Sequence, residues 1–262
     1  MPNFAANLTM LYNEVDFLDR FAAAARDGFA GVEFLFPYAY PKEELAARLK
    51  EHKLVQALHN LPAGDWAGGE RGIACHPDRV EEFRAGVAKG IEYATALGCK
   101  QLNCLAGKAP EGVPEAELRR TFVENLRYAA PELAKARIRL LAEPVNNRDI
   151  PGFYLNKSAQ AISIMDEVGS DNLYLQYDFY HTQIMEGDLT TTFRRLKNRI
   201  AHVQIADNPG RNEPGTGEIN YPFIFGMLDA EGYAGWIGCE YKPAAATTAG
   251  LGWFAPYAKS AA

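Results

Sequence analysis

The sequence predicts an α/β protein built as one (β/α)8 barrel that fills residues 1–262 as a single domain. Three observations carry this expectation. Eight short apolar runs alternate with longer segments rich in Ala, Leu, Glu, Arg and Lys whose apolar positions follow helical spacing. The runs are continuously apolar, as strands buried on both faces of a parallel sheet are, and do not alternate with polar residues. Finally, 262 residues shared among eight units leave about 33 per unit, the size of one strand and its helix in such a barrel.

In chain order the strand candidates are FAANL at 4–8, GVEFLF at 31–36, LVQALHN at 54–60 and KQLNCLAG at 100–107, then IRLLAEP at 138–144, NLYLQYD at 172–178, IAHVQIA at 200–206 and GWIGCE at 235–240. Helices are expected over 14–28, 41–52, 77–98, 114–136, 157–169, 189–198 and 220–232. Pro41, Pro77, Pro114 and Pro222 stand at or near their first turns, and Gly28, Gly98, Gly169 and Gly232 follow their last, matching the asymmetry of helix starts and stops. An open doubly wound sheet fits the same rhythm, but its nucleotide-binding variant would place Gly-x-Gly-x-x-Gly after the first strand, where AANLTM stands instead. No linker, low-complexity tract or second composition zone marks a boundary.

Composition narrows the function classes. A formal net charge of -6 without a basic block argues against nucleic acid as a partner. No stretch approaches the roughly 18 uncharged apolar residues of a membrane span, and the first residues, MPNFAANLTM, lack the form of a secretory signal, so a cytoplasmic enzyme away from the membrane is expected. Cys75, Cys99, Cys104 and Cys239 include no Cys-x-x-Cys pair and read as small buried thiols. Aromatics beside the second strand (Phe34, Phe36, Tyr38, Tyr40), Trp66, and the late pair Trp253 and Phe254 either close the barrel or cover a neighbour, which leaves self-association open.

In a parallel barrel the chemistry sits at the carboxyl ends of the strands. Strand five ends in Glu143, six in Asp178, seven in Gln204 and eight in Glu240, separations of 35, 26 and 36 residues that bring them from neighbouring strands to one mouth. Each acid alone could cap the following helix or form a local salt bridge. Three carboxylates gathered together repel, and a divalent cation relieves that repulsion. The all-oxygen set Glu143, Asp178, Gln204 and Glu240 favours Mg2+ or Mn2+ over zinc. Such a centre stays near -1, so an anionic substrate needs cations nearby. Lys242, His181 and Arg211 are placed for that role, and His59, at the end of strand three, and Glu70, in the long loop LPAGDWAGGERG, are further candidates for substrate contact. His52 and His76 need no role, and His202 is unassigned.

These residues, with the loop RNEPGTG at 211–217, resemble the xylose-isomerase-like barrels that isomerise or epimerise small sugars and keto acids. LHNLPAGDWAGGERGIAC at 58–75, AEPVN at 142–146, DIPGF at 149–153, QIADNPGRNEPGTGEINY at 204–221 and GCEYKP at 238–243 look more narrowly like the hydroxypyruvate isomerase family. The likeness runs from FAANLTML to GLGWF, almost the whole chain. It implies interconversion of hydroxypyruvate and 2-hydroxy-3-oxopropanoate through an enediol. It also implies that Glu143 and Glu240 both hold the metal and move protons. Gln204 departs from the histidine that sugar epimerases of the superfamily often carry there. On the same fold a sister enzyme would take a four-carbon 2-oxo acid (2-oxo-tetronate) or a ketose; a zinc nuclease would need more histidines than the five present, and a non-catalytic sugar-acid binder would use the glutamates as ligands alone.

Overall fold

A computed structural model of the protein describes residues 2–258. Eight parallel strands close in sequence order: β1 (Asn3–Asn7), β2 (Gly31–Glu33), β3 (Val55–Asn60), β4 (Gln101–Cys104), β5 (Arg139–Ala142), β6 (Leu173–Asp178), β7 (Ile200–Ile205) and β8 (Trp236–Cys239), with β8 pairing back onto β1. Around them lie α1 (Arg20–Arg26), α2 (Lys42–Glu51), α3 (Val80–Leu97), α4 (Glu115–Lys135), α5 (Ser158–Val168), α6 (Phe179–Met185), α7 (Leu189–Leu196) and α8 (Tyr221–Ala230). Eight expected strands are present, and every expected helix has a counterpart. The expected helix over 14–28 splits into a 3-10 turn at Phe17–Asp19 and α1. The short α6 lies outside the expected set; it starts directly at the end of β6, capped by Asp178.

Local chemistry explains the elements. In α4, Leu118, Phe122, Leu126, Ala130 and Leu133 fall on one buried stripe, and the helix continues through Pro131. Gly98 and Gly169 end α3 and α5 in the left-handed conformation, with φ of 65° and 68°, where a Cβ would be strained. Outward-facing strand residues such as Val32, Leu102, Leu140, Leu175, Val203 and Ile237 join the helices in one apolar core. Burying such aliphatic side chains contributes roughly 1.5–3 kcal/mol each.

The barrel interior is divided by depth. Its amino end is closed by Leu58, Leu141 and Ala201, with Tyr174 packed on them. Trp236 is admitted because Gly31 has no side chain; a Cβ there would lie 2.6 Å from the ring. Above this plug the inward positions become polar, with Gln176, His202 and Glu33 all buried. The aromatics considered for an interface pack within the chain: Phe36 against Trp66 at 4.8 Å, Tyr40 stacked on Phe17 at 4.9 Å, and Trp253 edge-on to Phe4 at 5.3 Å. Among the described residues no helix is long and apolar enough to cross a membrane.

Candidate active site

The carboxyl end of the barrel gathers the expected acids, each by a different local device. Glu143 lies one residue past β5, and Asn103 on β4 donates to its Oε2 at 2.8 Å. Asp178 ends β6 and caps α6, its Oδ1 accepting from the backbone N–H groups of Tyr180 at 2.7 Å and His181 at 3.3 Å. Helix capping, the alternative role for such an acid, is therefore real at Asp178, but it uses one oxygen only. Oδ2 is buried without a hydrogen-bond partner and faces His181 Nε2 at 3.7 Å. Glu143 Oε1 lies 3.9 Å from the same nitrogen. Glu143, Asp178 and His181 thus present ligand atoms all within 4.8 Å of one another, a geometry that could hold a metal ion.

His181 is held by a neighbour. Asn146 Nδ2 lies 2.6 Å from its Nδ1, while Asn146 Oδ1 accepts from the Asp149 backbone N–H at 2.7 Å and so fixes which end of the amide meets the ring. Nδ1 then accepts, and the neutral ring carries its proton on Nε2, toward the two carboxylates. Burial, with Arg211 nearby, holds His181 well below the usual histidine range.

Glu240, just past β8, is not in that triad. Its Oε1 pairs with Arg211 Nη2 at 3.0 Å, and Arg211 Nη1 reaches Asp149 at 3.2 Å while the guanidinium lies 5.1 Å above the Tyr180 ring. Arg211 reaches this place on the loop RNEPGTG, which wraps around Asp207: that carboxylate accepts from the backbone N–H groups of Gly215, Gly217 and Ile219. The loop is joined to the segment after β8 by Lys242 N–H donating to the Arg211 carbonyl at 2.8 Å. Gln204 is buried on β7, its Oε1 accepting from Gln176 at 2.6 Å and its Nε2 donating to Glu33 at 2.8 Å.

Electrostatics follow from burial. Desolvation, then repulsion from Glu240 and Asp178, raises the proton affinity of Glu143 well above the carboxylate range. Burial pushes Glu240 up to about 8 and Asp178 to about 6, with Arg211 pulling both back down. A cation would favour the charged forms of all three.

Two candidates lie elsewhere. His59 is paired in register with Leu102, which packs outward toward Gly90 of α3, and its ring meets Tyr38 edge-on at 5.9 Å. It therefore faces the helix layer, where burial lowers it to about 4, and not the mouth; the strand-end rule fails because side chains alternate and Asn60 takes the inward position. Glu70 is engaged inside its own loop, accepting from the Asp65 N–H and pairing with Arg79. That loop is fastened rather than loose: Lys108 Nζ donates to the Gly69 carbonyl at 3.0 Å and Cys75 N–H to the Ala106 carbonyl at 2.9 Å.

Above the acids opens a cleft of ≈ 720 Å³ whose rim carries Arg71, Arg211 and the exposed Lys242, with Trp66 held under Arg71 at 4.2 Å. Residues not singled out from sequence are Asn103, Asn146, Asp149 and Glu33. Asn103 and Glu33 had a usable signal, a polar residue inside an apolar run.

Residues 21–257 match the model of the xylose isomerase-like TIM barrel family. Hydroxypyruvate isomerase of Escherichia coli strain K12 is 58% identical over 257 residues, covering 98% of this chain and 100% of the relative. The 2-oxo-tetronate isomerase of Cupriavidus necator is 51% identical, covering 98% of this chain and 99% of its own. A solved structure described as an AP endonuclease, family 2, from Brucella melitensis superposes with a TM-score of 0.97 at 47% identity, covering 99% of this chain and 100% of that one. The closed barrel, its acidic mouth and these matches agree: the chain belongs to the xylose isomerase-like TIM barrel family.

Proposed function

We propose that this isomerase interconverts hydroxypyruvate and 2-hydroxy-3-oxopropanoate by moving a proton between adjacent carbons, with Glu143 and Glu240 as the proton carriers. The observation that carries the reading is the pair itself. Two buried glutamates, from β5 and β8, meet at one mouth with proton affinities raised toward the working range of acid-base catalysis. The full-length likeness to hydroxypyruvate isomerase supports the substrate. In the forward direction a carboxylate takes the proton from C3, the electron pair forms an enediol, and a carboxylic acid returns a proton to C2 while the O3 hydroxyl proton passes to O2. Each glutamate would contribute about 10²- to 10⁴-fold.

The donor set fits a divalent cation. Asp178 Oδ2 is buried and unpartnered, the three carboxylates are costly to charge together, and the ligand atoms are oxygens apart from His181. Glu143, Asp178, Glu240 and Gln204 would hold Mg2+ or Mn2+. When bound, the cation supplies Lewis-acid polarisation of the substrate oxygens. His181, with its Nε2 proton directed at the site, donates to a substrate oxygen instead of ligating. Arg211 and Lys242 receive the substrate carboxylate, Arg71 lies on the same rim, and Glu70 orders the loop behind them.

A four-carbon 2-oxo acid is the second reading, favoured by the Cupriavidus relative. A multi-zinc hydrolase is disfavoured: of five histidines only His181 faces the mouth, since His59 points outward, His202 is bonded to Glu33 inside the barrel, His76 meets the Lys108 carbonyl and His52 ends α2. Four free, buried thiols suit a reducing cytoplasm. Specificity constants for hydroxypyruvate, 2-oxo-tetronate and ketoses, measured with and without chelation, test the proposal. Preference for hydroxypyruvate with loss on chelation is expected; preference for another substrate overturns the substrate, and full activity in metal-free enzyme overturns the cation.

A further inference from the structure

The stretch AEPVN at 142–146 runs from the last residue of β5 through Glu143 to an asparagine that proton transfer does not use. Asn146 is 0% exposed although it stands in a loop, and both ends of its amide are engaged. Oδ1 accepts from the Asp149 backbone N–H at 2.7 Å. Nδ2 lies 2.6 Å from His181 Nδ1 and donates to Asp149 Oδ2 at 3.3 Å. The amide therefore cannot turn over, which would set its oxygen against a carboxylate and its nitrogen against a backbone donor. The backbone N–H of Asn146 also points at His181 Nδ1, at 3.5 Å. Two donors thus face that ring nitrogen, and among the described residues no acceptor is bonded to it.

The consequence reaches the mouth. With Nδ1 accepting, the ring proton sits on Nε2, 3.7 Å from Asp178 Oδ2 and 3.9 Å from Glu143 Oε1. Both separations exceed a hydrogen bond, so neither carboxylate holds that proton. The ring also stands where a metal ligand could, since its nitrogen and the two carboxylates fit around one ion. A ligating histidine, however, turns a bare nitrogen to the metal and donates its other ring N–H to an acceptor behind it. His181 is arranged the opposite way, with donors behind and the proton in front. We propose that Asn146 is a positioning residue that locks the His181 proton onto Nε2, making the ring a donor to the substrate oxygen and withholding it from the cation. Without the amide, water fills the space behind the ring and serves Nδ1 as donor or acceptor, so both tautomers are populated. The Nδ1–H form has no proton to offer the substrate and a lone pair to offer a metal.

This role of Asn146 rests on the reading of His181 as a substrate donor, but the first test is independent of turnover. Nitrogen NMR is recorded on metal-free, substrate-free protein labelled in its histidine rings, and the His181 signals are those lost in His181→Phe. A single Nε2–H tautomer is expected, unchanged by Mg2+; an Nδ1–H ring in either condition overturns the proposal. Asn146→Ala is expected to show both tautomers and to lower kcat for hydroxypyruvate by about 10- to 100-fold with little change in KM, the usual scale for residues that orient a functional group from behind. In the His181→Phe background the same substitution is expected to cost less than about twofold, because nothing is left to position. An equal loss in both backgrounds, or a single Nε2–H tautomer surviving in Asn146→Ala, makes Asn146 merely structural and overturns the proposal. Should Asn146→Ala not fold, Asn146→Ser takes its place in the cycle, and the spectrum with Asn146 intact still decides the tautomer. If that tautomer is found but the wild type leaves hydroxypyruvate unconverted, only the substrate reading falls, and the cycle is run on the 2-oxo acid that the wild type does turn over.

Discussion

Arg211 is where the structure makes its most quantitative claim. It is the cation closest to Glu240, at 3.0 Å, and its side chain is 15% exposed. A charge pair about 4 Å apart at an effective dielectric of about 20 is worth about 4 kcal/mol before desolvation is subtracted. The part of that lost to a substrate carboxylate in Arg211→Ala is one charged hydrogen-bonded contact, about 1.5–3 kcal/mol, or about 10- to 150-fold in kcat/KM. A second effect is on pH. Burial already lifts Glu240 to about 8 and Asp178 to about 6 against the downward pull of Arg211, so deleting the guanidinium raises both further. A raised acid becomes a carboxylate only at higher pH, and the acid limb of kcat/KM moves in the alkaline direction. Stability moves with it: the folded state holds these protons more tightly than the unfolded chain, so the variant loses stability as pH climbs from the ordinary carboxylate range through the folded values. Arg211→Lys keeps the charge but not the fork that spans Glu240 and Asp149, so it restores the acid limb without restoring KM. Stopped or coupled assays from about pH 5.5 to 9 at saturating divalent ion compare the acid limbs of wild type and variants, which bound cation moves to lower pH in all of them, and melting of the metal-free proteins over the same range reads the stability change. An alanine variant within about twofold of wild type, far short of the loss expected for a charged contact, with an unmoved acid limb refutes the reasoning.

Three further outcomes follow from the same geometry. Asp178→Asn keeps the cap acceptor for α6 yet removes a carboxyl raised from 3.8 to about 6, so metal-free protein should melt a few degrees higher at about pH 8, the difference closing by about pH 4, while Mn2+ affinity and turnover are lost. Gly72→Ala forces φ of 117° on a residue whose Cβ would lie 2.4 Å from the Leu105 carbonyl oxygen. A cost of about 1–3 kcal/mol is expected, seen as a Tm drop of several degrees and a raised KM as the β3 loop loosens. Mn2+ uptake near neutral pH should release protons, because Glu143 and Glu240 must charge to receive it; calorimetry in buffers of different ionisation enthalpy would show no buffer dependence if they were already charged.

Barrel class was legible because it depends on pattern: apolar runs, helical segments and their spacing survive without any knowledge of contacts. The acids of strands five, six and eight and the amide Gln204 of strand seven were legible for the same reason, since each stands at or near the close of an apolar run. Strand two hid its own: GVEFLF continues as an apolar run, but β2 stops at Glu33 because the register shifts against β3 between Val32 and Glu33 and the chain leaves the sheet. Glu33 is thus also a strand-end acid. Asn7, Asn60 and Asn103 complete the ring from the first, third and fourth strands, and an amide at a strand end gives a weaker signal than a charge. His59 misled because one residue of register changes the face. Arg211 was found by its loop, whereas its pairing with Glu240 depends on the turns around Asp207, which no local pattern specifies.

Proton transfer by the two glutamates is tested most directly by following hydroxypyruvate in D2O by proton NMR with wild type, Glu143→Gln and Glu240→Gln. The wild type is expected to form 2-hydroxy-3-oxopropanoate with deuterium entering at carbon, and each variant to lose at least about 100-fold in both turnover and exchange while still binding substrate. Near-wild-type exchange in either glutamine variant would contradict the account.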